Sequence, residues 1–192
     1  ETTTEEWDRV FNVNVRGCFF GIRAVVPAMQ KAGAGSIINI SSIYGLIGAP
    51  GATAYQASKG AVRLMAKSCA VDLAPFKIRV NSVHPGVIDT PMTKDLLTQP
   101  EFRSAAVAMT LTGRPARPDE VSQAVLFLAS DESSYVVGAV LVAWYGSVDP
   151  DHLGEAPPMK GGWRRGREEP ASDEEHEASA ADADPDIADG DL

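Results

Sequence analysis

Apolar and polar positions follow two different periods along this chain, and the switches between them mark its elements. Val10, Phe11, Val13, Phe19, Ile22, Val25 and Val26 recur at helical spacing, which predicts one long amphipathic helix over residues 5–30. Thr4 is placed to cap it, and Glu5 and Glu6 sit at its positive end. Pro27 is expected to end or kink the helix near its last turn. After Gly33-Ala34-Gly35, the run Ser36-Ile37-Ile38-Asn39-Ile40 predicts a short buried strand. A loop rich in glycine and small residues covers 41–53, and a second long helix spans 54–74, where Pro75 stops it. Residues 78–83 read as a second strand that halts at His84-Pro85-Gly86. Residues 91–117 read as an irregular, partly helical insertion. Pro118, Asp119 and Glu120 then open a third helix running to about Ser130, and 138–143 form a last short strand.

Helices alternating with strands in this order imply an α/β protein built on a parallel sheet with flanking helices. Composition changes the picture at one place. Residues 1–148 carry 13 Lys and Arg against 12 Asp and Glu, whereas 149–192 carry 4 against 14, so the net charge of −9 belongs to the last segment. Two segments follow: 1–148 with a globular composition, and 149–192, an acidic tail rich in Pro, Gly and Ala that is expected to be disordered. In that tail Lys160, Arg164, Arg165 and Arg167 surround Trp163, which reads as a solvated linker. The near-neutral front part argues against a nucleic-acid partner. No stretch of 18 apolar residues occurs, which argues against a membrane partner. The first residues are no signal peptide and carry no initiator Met. Cys18 and Cys69 fall in helical patterns and read as small apolar residues, which suits a reducing cytoplasm. They lie far apart with no His nearby, so no metal site is assigned; His84 reads as a packed residue.

Candidate chemistry gathers after the first strand. Tyr55 and Lys59 stand four apart at the start of the second helix, so both project from one face. An ammonium beside a phenol favours the phenolate, and a phenol so placed exchanges protons near neutral pH. Ser42 follows the first strand, at the sheet edge where parallel α/β proteins present ligands, and its hydroxyl can donate to the oxygen the tyrosine serves. Asn14 lies inside the first helix, where an asparagine without a task is mildly unfavourable. Pro85-Gly86-Val87-Ile88-Asp89-Thr90 forms a turn with backbone donors and a hydroxyl at the same edge.

Asn14 in NVRG, Ser42 in INISS, Tyr55 and Lys59 in AYQASKGAV, and NSVHPGVIDT over 81–90 resemble the short-chain dehydrogenase/reductase family, in particular its hydroxysteroid dehydrogenase and 3-oxoacyl reductase members. GRPARPDEV over 113–121 and SSYVVG over 133–138 extend the resemblance to about residue 142, in the family's order. The resemblance implies a doubly wound, Rossmann-like sheet, of which this chain holds the C-terminal part. It implies an oxidoreductase that moves a hydride between NAD or NADP and a secondary alcohol or ketone. Tyr55 is then the general acid/base, and Lys59 makes the phenol more acidic and binds the nicotinamide ribose. Ser42 polarises the substrate oxygen, and Asn14 supports a water-linked proton relay to Lys59. Pro85, Gly86, Ile88 and Thr90 line the nicotinamide side, so that Tyr55, Lys59 and this turn make up the cofactor contacts. A homo-oligomer is implied as well, through the two long helices.

The sequence departs from the family at both ends. It has no TGxxxGxG-type turn, whose glycines bring backbone close to the cofactor pyrophosphate at a helix N-terminus. The adenosine-gripping part is therefore expected to be missing, and the 192-residue chain to bind NAD(H) or NADP(H) weakly or not at all. Leu141-Val142-Ala143-Trp144-Tyr145-Gly146 replaces the family's Val-Asp-Gly-Gly ending, a change that a shift of reading frame near codon 143 would produce. The expected substrate is a small molecule. Ile43, Tyr44, Leu46 and Ile47 after the first strand, with Met92, Leu96, Leu97 and Met109 in the insertion, make an apolar lining. They favour a hydroxysteroid or cyclic alcohol, or else a 3-oxoacyl thioester. A silent remnant that acts at most as a dimerisation or interaction module is the competing expectation.

Overall fold

The computed structural model describes residues 2–144. The acidic tail from 149 onward, with its basic cluster and Trp163, lies outside the described residues.

The first predicted helix is one continuous rod in three parts: α1 (Thr4–Phe11), a π-helical stretch Asn12–Arg16, and α2 (Gly17–Ala32). Its cap is Thr3 rather than Thr4. The Thr3 hydroxyl accepts from the Glu6 N–H at 3.2 Å, while the Glu6 carboxylate accepts from the Thr3 N–H at 3.2 Å. A capping box needs its acid three residues on, which Glu6 supplies for Thr3 and Trp7 cannot supply for Thr4. Pro27 does not end the rod, which runs to Ala32 and closes on Gly33 at φ 79°. A proline removes one backbone donor, and here packing of Ile22, Val26 and Met29 against the core holds the helix together across it.

β1 (Gly35–Ile40), β2 (Ile78–Pro85) and β3 (Val140–Ala143) form a sheet in the order β1-β2-β3, parallel throughout. α3 (Thr53–Leu73) connects β1 to β2, followed by a single 3-10 turn at Ala74–Phe76. The insertion holds two short helices, α4 (Lys94–Leu97) and α5 (Pro100–Ala108), and α6 (Pro118–Ala129) leads into β3. Ile37 and Val80, paired across β1 and β2, face α2 and α3, where Ile22, Ala66, Ala70, Leu73 and Ile78 complete the core. Side chains alternate along a strand, so Ser36 and Arg79 face the other way. They meet the end of α6: Ser36 Oγ donates to the Leu128 carbonyl at 2.7 Å, and Arg79 reaches the Leu128 and Ser130 carbonyls and the Ser133 hydroxyl. The guanidinium thereby satisfies carbonyls that the end of a helix leaves without partners. At the other end of α6, Arg114 forks onto Glu120 at 2.7 and 2.8 Å, and the Arg117 N–H donates to the same carboxylate. These bonds hold the Glu120 carboxyl down to about 2.

β2 is buried on both faces, whereas β1 pairs on one edge only among the described residues. Asn39 on β1 is buried, and its Nδ2 finds no hydrogen-bond partner. Val13, Leu64 and Val71 are each more than 60% exposed on the outer faces of the long helices. No helix among the described residues is long and apolar enough to cross a membrane.

Candidate active site

The strands deliver their C-terminal ends to one edge, and the chemistry-bearing residues collect there. Ser42 follows β1 in an extended conformation (φ −163°, ψ 159°) and is buried. Its Oγ accepts the Tyr44 N–H at 3.1 Å and so caps the 3-10 turn Ile43–Gly45, which leaves the hydroxyl proton free for another oxygen. That turn is pressed against α3. A Cβ built on Gly45 would stand 2.7 Å from Ser41 Oγ and 2.9 Å from the Lys59 carbonyl, and Ser41 Oγ donates to that carbonyl at 2.8 Å. Only a glycine allows the Ser42 turn and the Lys59 turn of α3 to lie this close.

Tyr55 and Lys59 leave the first turns of α3 on the same side, with Lys59 Nζ 5.6 Å from the centre of the Tyr55 ring. Nζ donates to the Ile40 carbonyl at 3.0 Å, at the end of β1. Burial lowers the Lys59 pKa, and the nearby Cys18 sulfur acts in the opposite sense. The Tyr44 hydroxyl is pushed up by burial and by its neighbour Tyr55, which places the two phenols in one field. The Gln56 amide brackets Ala49, accepting from its N–H at 3.0 Å and donating to its carbonyl, so the loop before α3 is held to the helix.

Asn14 lies in the π-helical stretch, and its amide donates to Ser58 Oγ at 2.9 Å; Ser58 Oγ donates in turn to the Tyr55 carbonyl at 2.7 Å. The side chain thus braces the turn that carries Tyr55 and Lys59. Ser58 is fully buried, and nothing in the linear pattern singled it out. π-bulges cost helical regularity, and this one carries Asn14 to the Ser58 hydroxyl.

Pro85 ends β2, and the turn to Thr90 is held from behind. Ile88 bridges to Ala116, and Thr93 Oγ1 donates to the Ile88 carbonyl and lies 3.2 Å from Thr90 Oγ1. Gly86 donates its N–H to the Ala143 carbonyl at 3.3 Å. A Cβ there would lie 2.0 Å from Cδ1 of Trp144, so the indole rests directly on the glycine backbone. Sequence reasoning treated Trp144 only as a departure from the family ending. Of the residues expected to form an apolar lining, Ile43 and Leu97 are buried, Tyr44, Leu46, Ile47 and Met109 are half-buried, and Leu96 and Met92 are exposed. A concavity of about 550 Å³ opens elsewhere, at the N-terminal ends of β1 and β2 beside Lys77 and Arg79. It lies across the sheet from Ser42 and takes no part in the site.

The nicotinamide contacts that the resemblance implies need free donors at this turn. The Ile88 N–H engages no protein acceptor among the described residues, and the Thr90 hydroxyl faces only the Thr93 hydroxyl. A free backbone donor beside a hydroxyl fits a carboxamide. The ribose contact fits as well, since an ammonium with one protein acceptor keeps donors to spare.

Residues 1–147 match a family model described as enoyl-(acyl carrier protein) reductase. The chain is 65% identical over 142 residues to the cyclopentanol dehydrogenase of Comamonas sp., covering 74% of this chain and 57% of that protein. It is 52% identical over 143 residues to the 3-alpha-(or 20-beta)-hydroxysteroid dehydrogenase of Mycobacterium tuberculosis, covering 74% and 52%. Among solved structures, a gluconate 5-dehydrogenase from Burkholderia cenocepacia in complex with NADP and tartrate superposes with a TM-score of 0.71 at 34% identity, covering 73% of this chain and 55% of that one. The chain spans little more than half the length of the curated relatives it matches.

Proposed function

Because the chain belongs to the short-chain dehydrogenase/reductase family, we propose that its site interconverts a secondary alcohol and a ketone with NAD or NADP. One observation carries this reading: Ser42, Tyr55 and Lys59 converge at the C-terminal edge of a parallel sheet, beside a turn with free donors for a carboxamide. Tyr55 gives its phenolic proton to a carbonyl oxygen, or takes the proton of an alcohol. Ser42 donates its hydroxyl proton to the same oxygen and stabilises the charge that develops there. Lys59 holds a positive charge beside the phenol, and Asn14 keeps the Tyr55–Lys59 turn in place through Ser58. Tyr55, Lys59, Pro85, Gly86, Ile88 and Thr90 would hold the nicotinamide ribose and ring. When bound, that group supplies or accepts the hydride at the carbon bearing the oxygen.

The substrate we propose is a small apolar cyclic alcohol or ketone. The half-buried Tyr44, Leu46, Ile47 and Met109 support it, as do the names of the two curated relatives. We place the protein in the cytoplasm, which its free thiols Cys18 and Cys69 support. The partner we propose is a second copy, for which the exposed apolar positions of the long helices are suited. The competing reading, a silent module that only associates, draws on the same helices and on the outer edge of β1, which has no strand partner among the described residues. Turnover decides. Incubation with cyclopentanol and either oxidised cofactor, supplied well above the weak Kd expected of this chain, should generate reduced cofactor absorbance, and Tyr55→Phe should abolish it; no turnover at that excess with either cofactor and any cyclic alcohol sinks the enzymatic reading.

A further inference from the structure

His84 sits one residue before the nicotinamide turn with no exposed surface at all. Its neighbours show what it does. β1 and β2 pair in parallel up to Ser41, whose N–H donates to the Val83 carbonyl at 2.8 Å. The next rung needs an N–H from residue 85, and Pro85 has none. The two strands therefore lose their backbone tie just where Ser42 begins. The His84 imidazole makes the tie instead: Nδ1 lies 2.9 Å from the Ser42 carbonyl oxygen, and Nε2 lies 2.9 Å from Ser82 Oγ.

We propose that His84 is a positioning residue for Ser42, a side-chain rung that replaces the backbone rung forbidden by Pro85 and fixes the direction of the Ser42 hydroxyl. This rests on the reading of Ser42 as the hydroxyl that serves the substrate oxygen. A carbonyl only accepts, so Nδ1 carries the proton. Nε2 then accepts from the Ser82 hydroxyl, which is closer to it than to the Ala139 carbonyl at 3.3 Å. The neutral ring meets both partners with no donor or acceptor wasted. Burial favours that neutral form, opposed by the Ser42 carbonyl and aided by the positive charges of Arg63, Lys59 and Lys67 on α3. With its carbonyl pinned on one side and its Oγ taking the Tyr44 N–H on the other, Ser42 cannot rotate about its backbone without breaking a buried hydrogen bond.

Three variants of the 192-residue chain test this. His84→Leu keeps the volume and removes the donor. His84→Asn keeps an amide N–H near the place of Nδ1. Ser82→Ala leaves the ring but removes the partner of Nε2. Two readouts by NMR need no turnover: the carbonyl carbon shift of Ser42 and the exchange rate of the Tyr44 amide. His84→Leu should move the shift and speed Tyr44 exchange by ~10-fold or more, and His84→Asn should restore both. In turnover assays His84→Leu should lower kcat by ~10-fold, less than loss of a direct donor costs. KM should stay within ~2-fold, because the misplaced hydroxyl matters most as charge develops on the substrate oxygen. His84→Asn should recover most of kcat. If His84→Leu fails to fold, Ser82→Ala carries the test: the Ser42 carbonyl should keep the ring in its Nδ1–H form in the imidazole nitrogen spectrum, while loss of the Nε2 partner loosens the ring and raises Tyr44 exchange; a switch to the Nε2–H form overturns the proposal. Unchanged Ser42 shift and Tyr44 exchange in a folded His84→Leu, or a doubly protonated ring at pH 7, overturns the proposal. A wild-type chain that never turns over overturns the enzymatic reading alone, since the two spectroscopic readouts still report whether His84 sets Ser42.

Discussion

Tyr55, Lys59 and Ser42 stood out as candidates because each signal is short in sequence: a helical four-residue spacing, and a serine just past a β-branched run. What supports them did not, because it spans the chain. The Asn14–Ser58 bond joins residues 44 apart, and the Arg79 cap on α6 joins residues as far as 54 apart, distances over which periodicity carries no information. Replacing Tyr55 by Phe removes the proposed proton donor with almost no change in volume. We expect kcat to fall by about 100-fold or more, with an unchanged circular dichroism spectrum and melting temperature. His84 yields a pH dependence. Its folded-state pKa lies below the ordinary 6.5, so the unfolded chain takes up a proton first as pH falls. Stability should be full above pH 6.5 and decline below it. Urea midpoints measured from pH 7.5 to 5 should show this decline, and it should be shallower in His84→Asn, which has no proton to gain there.

Elements were legible wherever their pattern was long. The three strands and three main helices were read from the sequence, with bounds that shifted by at most two residues. The π-helical stretch and the passage of α2 through Pro27 were not read, because both depend on packing that overrides local preference. α6 shows how one helix divides its side chains. Leu128 has no exposed surface and Leu126 is 61% exposed. Leu128→Ala should cost about 2–5 kcal/mol, and Leu126→Ala less than about 0.5 kcal/mol, by denaturant titration. At the ends of β2 and β3, Gly86→Ala forces a methyl into the Trp144 indole and should cost about 1–3 kcal/mol. Adding Trp144→Ala should recover much of that loss. Additive costs in the double variant would show that the indole does not rest on Gly86.

On the scale of the whole molecule, the described residues pack α2 and α3 against one face of the sheet around a single core cluster. The sheet they form has three strands, and no glycine-rich turn for a pyrophosphate lies among them. Titration of the chain into NADH or NADPH, followed by fluorescence, should give a Kd weaker than about 100 μM, an affinity near −5.5 kcal/mol. Micromolar binding would show that the nicotinamide contacts suffice. Among the described residues, the outer edge of β1 has no strand partner, the Asn39 amide is orphaned, and Val13, Leu64 and Val71 are exposed.

The sheet is parallel throughout, so β1 cannot find β2 by a tight turn. Gly35 pairs with Ile78 only after the whole of α3 has been laid across the sheet. Ser42, Tyr55 and Lys59 all lie inside that single crossover. The loop closure that sets the folding rate is therefore also the event that assembles the site. Folding of this chain should be slow for its size, and substitutions in the Ile37–Val80 contact should slow refolding more than they speed unfolding. No partly folded form that lacks the β1–β2 pairing can hold the proposed catalytic group together.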